Sequence, residues 1–237
     1  MKKYLEVEND IRNKILNREF SPGEQLPSEK ILEIFYSTSK MTIKKAMDLL
    51  VSEGFIVKRR GSGTFVKQLS DDQIKMITSS NQLKGKTALY KGREVSSKIL
   101  LFNLEFPNIE VSKTLQISQN TKVYHIERVR YIDNEPMVIE DMVMPEKTIP
   151  GLTEKISEGS IYSYIEDSLN LEIQSSHRNI TVRKATEYES TILELEPLDP
   201  VVISKQVAYL SNGSCFEYSK SIHRFDEFSL DVILTKN

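Results

Sequence analysis

The sequence predicts an α+β protein of two domains, and three features of the chain lead to that prediction. Apolar residues recur at helical spacing from residue 4 to residue 50, whereas beyond residue 92 their period is close to two. The length of 237 residues suits one large or two modest domains. Residues 1–70 hold 13 Lys and Arg against 9 Asp and Glu, although the whole chain has a net charge of −2. We therefore expect a basic domain over 1–67, a linker over 68–91 and an acidic domain over 92–237.

Three helices are predicted in the N-terminal domain. The first carries apolar residues at helical spacing, namely Tyr4, Val7, Ile11 and Ile15. Ser28 is the expected N-cap of a short second helix. That helix is expected to turn three side chains inward, namely Leu32, Phe35 and Tyr36. Ser39 is the expected N-cap of a third helix, whose inward stripe is Ile43, Ala46, Met47 and Leu50.

A hairpin follows the third helix. Gly54 ends that helix, and residues 55–66 then read as two short strands around a glycine turn. Three helices followed by a hairpin make a winged helix-turn-helix, a fold in which one helix enters the major groove of DNA.

The outer surface of this domain suits a nucleic acid. Lys40, Thr42 and Lys44 lie on the outer face of the third helix, where lysines can reach phosphates and base edges. The cations at 58–60 flank Gly61 at a wing tip free of bulky side chains, which suits the minor groove. The alternatives are a solvated helix face and a plain flexible hairpin.

The C-terminal domain is predicted to be a largely antiparallel sheet with helices. Turn sequences at 133–135 and 211–213 join neighbouring strands. Three short helical patterns lie near 110–117, 161–169 and 186–194. The predicted strands are 97–106, 122–132, 136–144, 171–183, 201–210 and 214–222.

Two arginines in the second strand point to an anion. Arg128 and Arg130 share a strand face with apolar residues, so each needs a negative partner. The partner is either a ligand or an internal acid such as Glu140 or Glu127.

A helix N-terminus is predicted nearby in the sequence. Ser160 precedes a helix whose free amides and dipole attract phosphate or carboxylate, and Tyr162 adds a hydroxyl within one turn. The alternative is that Ser160 is an ordinary cap.

Several classes of protein and site are not expected. No stretch approaches the roughly 18 apolar residues that span a bilayer, and the single Cys215 permits no internal disulfide, so we expect a cytoplasmic protein without membrane contact. The three histidines lack metal-ligand spacing, and neither a metal site nor a cofactor is predicted. No nucleophile and base pair that would mark an enzyme is evident.

The run from Leu26 to Val66 resembles the winged helix of GntR-type bacterial transcription regulators. It holds Leu-Pro-Ser-Glu, a Ser-basic-x-Thr segment, Glu-Gly and a basic Gly-Ser-Gly-Thr wing in order. The family commonly has Arg where this chain has Lys30, Lys40 and Lys44, and Lys lacks the bidentate grip of Arg on guanine. The base preference of relatives therefore does not carry over. The resemblance, with the wing cations Arg59 and Arg60, implies DNA contacts by Lys30, Ser39, Lys40, Thr42, Lys44, Arg59, Arg60 and Gly61.

The remainder of the chain is similar to the HutC branch and its UTRA effector domain, which has the fold of chorismate lyase. The motifs are 127–130, 133–136, 159–162 and 216–219. In relatives the residues matching Arg128, Arg130, Ser160 and Tyr162 bind the phosphate of a sugar phosphate. Those matching Glu140 and Glu217 reach the sugar hydroxyls.

Together the two resemblances imply a homodimeric repressor of a carbohydrate-utilisation operon. Its two winged helices would bind double-stranded operator DNA under control of a small anionic effector, a phosphorylated sugar. Three alternatives stand beside this one: a lyase-like enzyme, a DNA-binding protein without a ligand, and a regulator that responds to a non-sugar carboxylate.

Overall fold

The computed structural model of the protein describes residues 2–70 and 93–230, which form two compact units over 2–70 and 93–229. Apart from residues 68–70, the predicted linker lies outside the described residues.

The N-terminal unit has the predicted three helices and hairpin. The helices are α1 (Lys3–Leu16), α2 (Glu29–Phe35) and α3 (Lys40–Ser52), and the antiparallel strands are β1 (Ile56–Arg59) and β2 (Gly63–Val66). Both predicted caps are confirmed, because the Ile31 N–H donates to Ser28 Oγ at 3.4 Å and the Thr42 N–H to Ser39 Oγ at 3.3 Å. All four residues of the predicted α3 stripe are at most 1% exposed.

The prediction for Phe35 is wrong. Its side chain is 66% exposed, whereas Leu32 is buried. Helix α2 is only seven residues long, and the chain turns away from it at Ser37 with a φ of 48°. Tyr36 takes the place against α1, where its hydroxyl donates to Asp10 Oδ2 at 2.5 Å.

The C-terminal unit is the predicted antiparallel sheet with helices. Its strands are β3 (Val95–Glu105), β4 (Val123–Ile132), β5 (Glu135–Pro145), β6 (Ile173–Lys184), β7 (Pro200–Leu210) and β8 (Cys215–Arg224). Its helices are α4 (Ile109–Leu115), α5 (Glu154–Glu158), α6 (Ile161–Ser163), which continues as a π-helical turn over Tyr164–Ser168, and α7 (Glu187–Leu193). Helix α5 was not predicted.

All neighbouring strands run antiparallel in the order β3-β4-β5-β8-β7-β6. Asp133 and Asn134 both have positive φ, as a two-residue hairpin turn between β4 and β5 requires. The central strands β5 and β8 are not consecutive in sequence. Their pairing joins the half of the sheet formed by β3, β4 and β5 to the half formed by β6, β7 and β8.

Helices cover both faces of the sheet. Ile161 and Ile165 pack on one face in a cluster that includes Ile126 of β4. On the other face Leu193 of α7 packs with Val129 and Ile139, and α4 covers the end near Val123. The alternating residues of each strand therefore meet two different environments.

Candidate nucleic-acid interface and ligand site

Helix α3 presents two lysines one turn apart. Because the apolar stripe of α3 is buried, Lys40 and Lys44 point outward and are exposed. Neither forms an ion pair with any described side chain. Thr42 is partly buried, and its Oγ1 lies 3.0 Å from Ser39 Oγ at the start of the helix. The outer face of α3 therefore offers unpaired positive charge beside two hydroxyls.

Lys58 forms ion pairs with two acids of its own unit. Its Nζ lies 2.6 Å from Asp48 Oδ1 and 3.8 Å from Glu29 Oε1. The start of α2, the middle of α3 and β1 therefore meet at one point. Lys30, which follows Glu29, and Arg59, which follows Lys58, are both exposed.

The wing is held by a residue that the sequence did not identify. Gln25 Nε2 donates to the backbone oxygen of Ser62 at 2.8 Å, and Gln25 bridges to Phe65 in β2. The Arg59 guanidinium lies 4.7 Å from the centre of the Phe65 ring. These contacts fix the hairpin on both sides of its tip.

The wing tip itself is open. Arg60 and Gly61 are exposed, and Gly61 has a φ of 76°, a conformation that side chains other than glycine disfavour. A Cβ at Gly61 would meet nothing within 4 Å, so the turn rather than crowding requires glycine here. The structure thus brings all eight predicted DNA contacts to α2, α3 and the wing of a single unit.

The C-terminal unit holds a second concentration of polar groups. Eight buried polar side chains lie on the sheet face that α5 and α6 cover. Buried polar groups are costly unless they are paired, so a row of them on one sheet face is a candidate ligand site. They are Arg128, Arg130, Glu140, Ser204, Gln206, Glu217, Ser219 and Ser221.

Arg128 is paired within the protein. Its Nε and Nη2 both lie 2.8 Å from Glu140 Oε2, across the β4 and β5 pair. Its Nη1 donates to the backbone oxygens of Ser157 and Gly159, the latter at 2.9 Å. The pairing with Glu140 is what the internal-acid alternative predicts, and the backbone contacts also tie the segment before Ser160 to the sheet.

Arg130 lies on the same face of β4 and is only 4% exposed. It stands opposite Ser97 of β3 and Val138 of β5. Ser97 Oγ is buried and has no hydrogen-bond partner among the described residues. An unsatisfied hydroxyl beside a buried arginine is a place where a ligand oxygen can be held.

Ser160 and Tyr162 directly follow the backbone segment to which Arg128 donates hydrogen bonds. Ser160 Oγ accepts from the Ser163 N–H at 3.1 Å, which confirms the cap, although the α-helix that it starts has only three residues. The Tyr162 ring packs against Phe216 at 5.9 Å between centroids. Its hydroxyl accepts from Gln206 Nε2 at 2.9 Å. Burial and then the charge of Glu217 raise the pKa of Tyr162, so the phenol stays protonated.

Glu217 is the most deeply buried acid of the face, with 2% of its surface exposed. Its Oε1 accepts from Ser219 Oγ at 2.5 Å and from Gln206 Nε2 at 3.2 Å. Its Oε2 has no hydrogen-bond partner among the described residues. Burial raises the pKa of this carboxyl, while the hydrogen bond from Ser219 opposes the rise. Glu217 thus has one satisfied oxygen and one that can accept from a ligand.

Sequence reasoning missed Gln206, Ser219 and Arg178. The period-two alternation of β7 and β8 could have indicated Gln206 and Ser219. The two residues stand opposite each other in the strand pair. Arg178 of β6 in turn stands opposite Gln206 and bonds to it. These residues complete a polar row from β4 to β6.

In the part of the chain that the structure describes, no group of three or more His, Cys, Asp or Glu side chains has a metal-binding arrangement. Within the same residues, no helix is long and apolar enough to cross a membrane. Cys215 is buried and has a free thiol.

Two family models match the chain in the order of its two units. Residues 3–66 match that of the bacterial regulatory proteins of the gntR family, and residues 91–229 match that of the UTRA domain. Two full-length relatives come from Bacillus subtilis strain 168. The HTH-type transcriptional regulator GmuR is 37% identical over 96% of both chains. The HTH-type transcriptional regulator TreR is 31% identical over 95% of this chain and 94% of its own.

Two solved structures of transcription regulators are also similar to this chain. The crystal structure of YydK from Bacillus subtilis, a possible transcriptional regulator, is 26% identical, with a TM-score of 0.82 over 98% of this chain and 100% of its own. The effector binding domain of the Bacillus subtilis trehalose repressor TreR is 29% identical, with a TM-score of 0.54 over 60% of this chain and 99% of its own.

Proposed function

Because the chain belongs to the GntR family of bacterial regulatory proteins and carries a UTRA domain, we propose that it is a homodimeric repressor of carbohydrate-utilisation genes, controlled by a phosphorylated sugar. Members of the family are transcription regulators, which decides against the lyase-like enzyme. The sugar assignment draws on TreR, which is a trehalose repressor. The observation that carries the effector part is the row of buried polar side chains beneath Ser160 and Tyr162.

The DNA-binding part of the proposal uses the winged unit. Lys40 and Lys44 would enter the major groove with Ser39 and Thr42, because these four line the outer start of α3. The other four contacts would flank them, with the wing in the minor groove. They are Lys30, Arg59, Arg60 and Gly61. Two copies related by a two-fold axis would read two half-sites.

The effector part of the proposal assigns a separate group of residues to each end of the ligand. Arg130, Ser160 and Tyr162 would hold the phosphate, with Arg128 adding positive charge and fixing the segment that carries Ser160. The acid Glu140, together with Glu217, would accept from sugar hydroxyls. This chemistry favours a ligand with a strong anion at one end and donors at the other, over a plain carboxylate or no ligand.

A ligand can control DNA binding only if it binds two arrangements of the protein with different affinity. The experiment is therefore a fluorescence anisotropy titration of the full chain with the duplex upstream of its own gene. Trehalose 6-phosphate, glucose 6-phosphate and glucosamine 6-phosphate are then added, with the free sugars and inorganic phosphate as controls. We expect one phosphorylated sugar to change operator affinity while its free sugar does not. An affinity unchanged by any sugar phosphate would contradict the proposal.

A further inference from the structure

Gln206 lies between Arg178 and the buried pair of Tyr162 and Glu217. Its amide oxygen accepts from Arg178 Nε at 3.0 Å and from Nη2 at 2.6 Å. Its amide nitrogen donates to Tyr162 Oη at 2.9 Å and to Glu217 Oε1 at 3.2 Å. All the hydrogen-bonding atoms of this buried side chain are therefore used.

The two orientations of the amide are far from equal in energy. Arg178 offers only donors, so it selects the orientation with the amide oxygen towards β6. In the reverse orientation the amide oxygen would face the Glu217 carboxylate and the NH2 group would face the guanidinium. Both contacts would then be repulsive. Arg178 and the Glu217 carboxylate thus select the same orientation, and Arg178 holds Gln206 so that its amide nitrogen donates to Glu217.

This choice also decides which oxygen of Glu217 is left for a ligand. Ser219 and Gln206 both donate to Oε1, while Oε2 is buried without a partner among the described residues. A buried acceptor without a donor costs free energy, which a ligand hydroxyl or ammonium would recover.

We propose that Arg178 is a positioning residue of the effector site, which acts through Gln206 to hold Glu217 so that Oε2 accepts from a donor group of the ligand. The part of the proposal that concerns a ligand rests on the proposed effector function. The positioning itself does not, and it can be measured in the free protein.

Arg178 is suited to such a test because its side chain is exposed and lies on the edge strand β6. Its removal leaves no buried cavity, so Arg178→Ala is expected to fold. Lys205 supplies a matched control, because this exposed cation of β7 is next to Gln206 in sequence but points to the opposite face.

The experiment is a carboxyl ¹³C NMR titration of full-length protein labelled at glutamate, with Glu217→Gln to assign the resonance. Other groups near Glu217 that affect its titration are Tyr162, Ser219 and the acid Glu140. Arg178→Ala is expected to move the Glu217 midpoint to higher pH, because the donor that favours the ionised form is no longer held. Arg178→Lys should restore part of the change, and Lys205→Ala should cause none.

A double-substitution cycle separates positioning from a direct effect of the Arg178 charge. If Arg178 acts through Gln206, Arg178→Ala has no further effect on the midpoint in a Gln206→Leu background. Equal shifts of the midpoint in both backgrounds would overturn the proposal, as would an unchanged midpoint in Arg178→Ala alone.

A second measurement concerns the ligand. For the sugar phosphate of the set that binds best, Arg178→Ala should weaken binding about tenfold, the equivalent of one lost hydrogen bond. Inorganic phosphate, which lacks the donor end, should bind both proteins equally. If no sugar phosphate binds the unmodified protein, the proposed function fails while the NMR cycle still decides the positioning role.

Discussion

Arg128 and Glu140 face each other across β4 and β5, and both are at most 5% exposed. Two nitrogens of the guanidinium lie 2.8 Å from the same carboxylate oxygen, Glu140 Oε2. The third nitrogen reaches the backbone before Ser160. One ion pair thus sets both the chemistry of the sheet face and the place of the loop that covers it.

The first prediction follows from this pair. Arg128→Met should destabilise the protein by about 3–5 kcal/mol, because it leaves Glu140 buried without its charged partner. Arg128→Met combined with Glu140→Leu should recover much of the loss, because the buried carboxylate is removed together with its partner. Urea denaturation of each variant measures the free energies of unfolding. Equal stability of Arg128→Met and the unmodified protein would show that the buried pair contributes nothing.

The second prediction concerns the outer face of the winged unit. Lys44→Ala and Arg60→Ala should each weaken operator binding and reduce the slope of log affinity against log salt by about 0.9. The reason is that each removes one cation from the phosphate contact. Anisotropy titrations at several salt concentrations give the slope, with Lys205→Ala of the other unit as a control that keeps it. A slope unchanged in both variants would show that Lys44 of α3 and Arg60 of the wing do not contact DNA phosphates.

The third prediction concerns Gln25 at the wing. Gln25→Ala removes the bond to the Ser62 carbonyl and should weaken operator binding, while the thermal midpoint of unfolding hardly changes, because Gln25 is exposed. Circular dichroism and anisotropy report the two quantities separately. Gln68→Ala, at another exposed glutamine, is the control. Operator affinity equal to that of the unmodified protein would mean that the wing needs no such support.

The fourth prediction is a pH dependence that originates in the N-terminal unit. Glu8 is 4% exposed and faces Arg12 and Glu53. Burial, with the charge of Glu53, raises the pKa of Glu8 from 4.5 to about 7. The folded state therefore holds the Glu8 proton more tightly than the unfolded chain does. The stabilisation that comes from this protonation is complete below pH 4.5 and is lost as the pH rises through about 7.

Glu8→Gln should remove this titration. The difference in unfolding free energy between Glu8→Gln and the unmodified protein should grow between pH 4.5 and 7, up to about 3 kcal/mol in favour of the variant. Taking the difference cancels the titrating groups that do not interact with Glu8. Chemical denaturation at a series of pH values measures it, and a difference independent of pH would contradict the role of Glu8.

Much of the fold followed from local patterns. The buried stripe of α3, the caps Ser28 and Ser39 and the turn at 133–134 depend on residues close together in sequence, and all are confirmed. The exposure of Phe35 was missed because it depends on Tyr36 reaching Asp10 in α1.

The sequence by itself determined the two units, the basic outer face of α3 and the side of β4 that carries Arg128 and Arg130, because helix and strand periodicity fix which side chains share a face. Only the tertiary structure decided that Arg128 pairs with Glu140 and that Gln206 stands between Arg178 and Glu217. These partners lie on different strands, and their meeting depends on register and on the placement of β8 between β5 and β7. Period-two alternation says which face a residue takes, but it does not say which strand lies next to it.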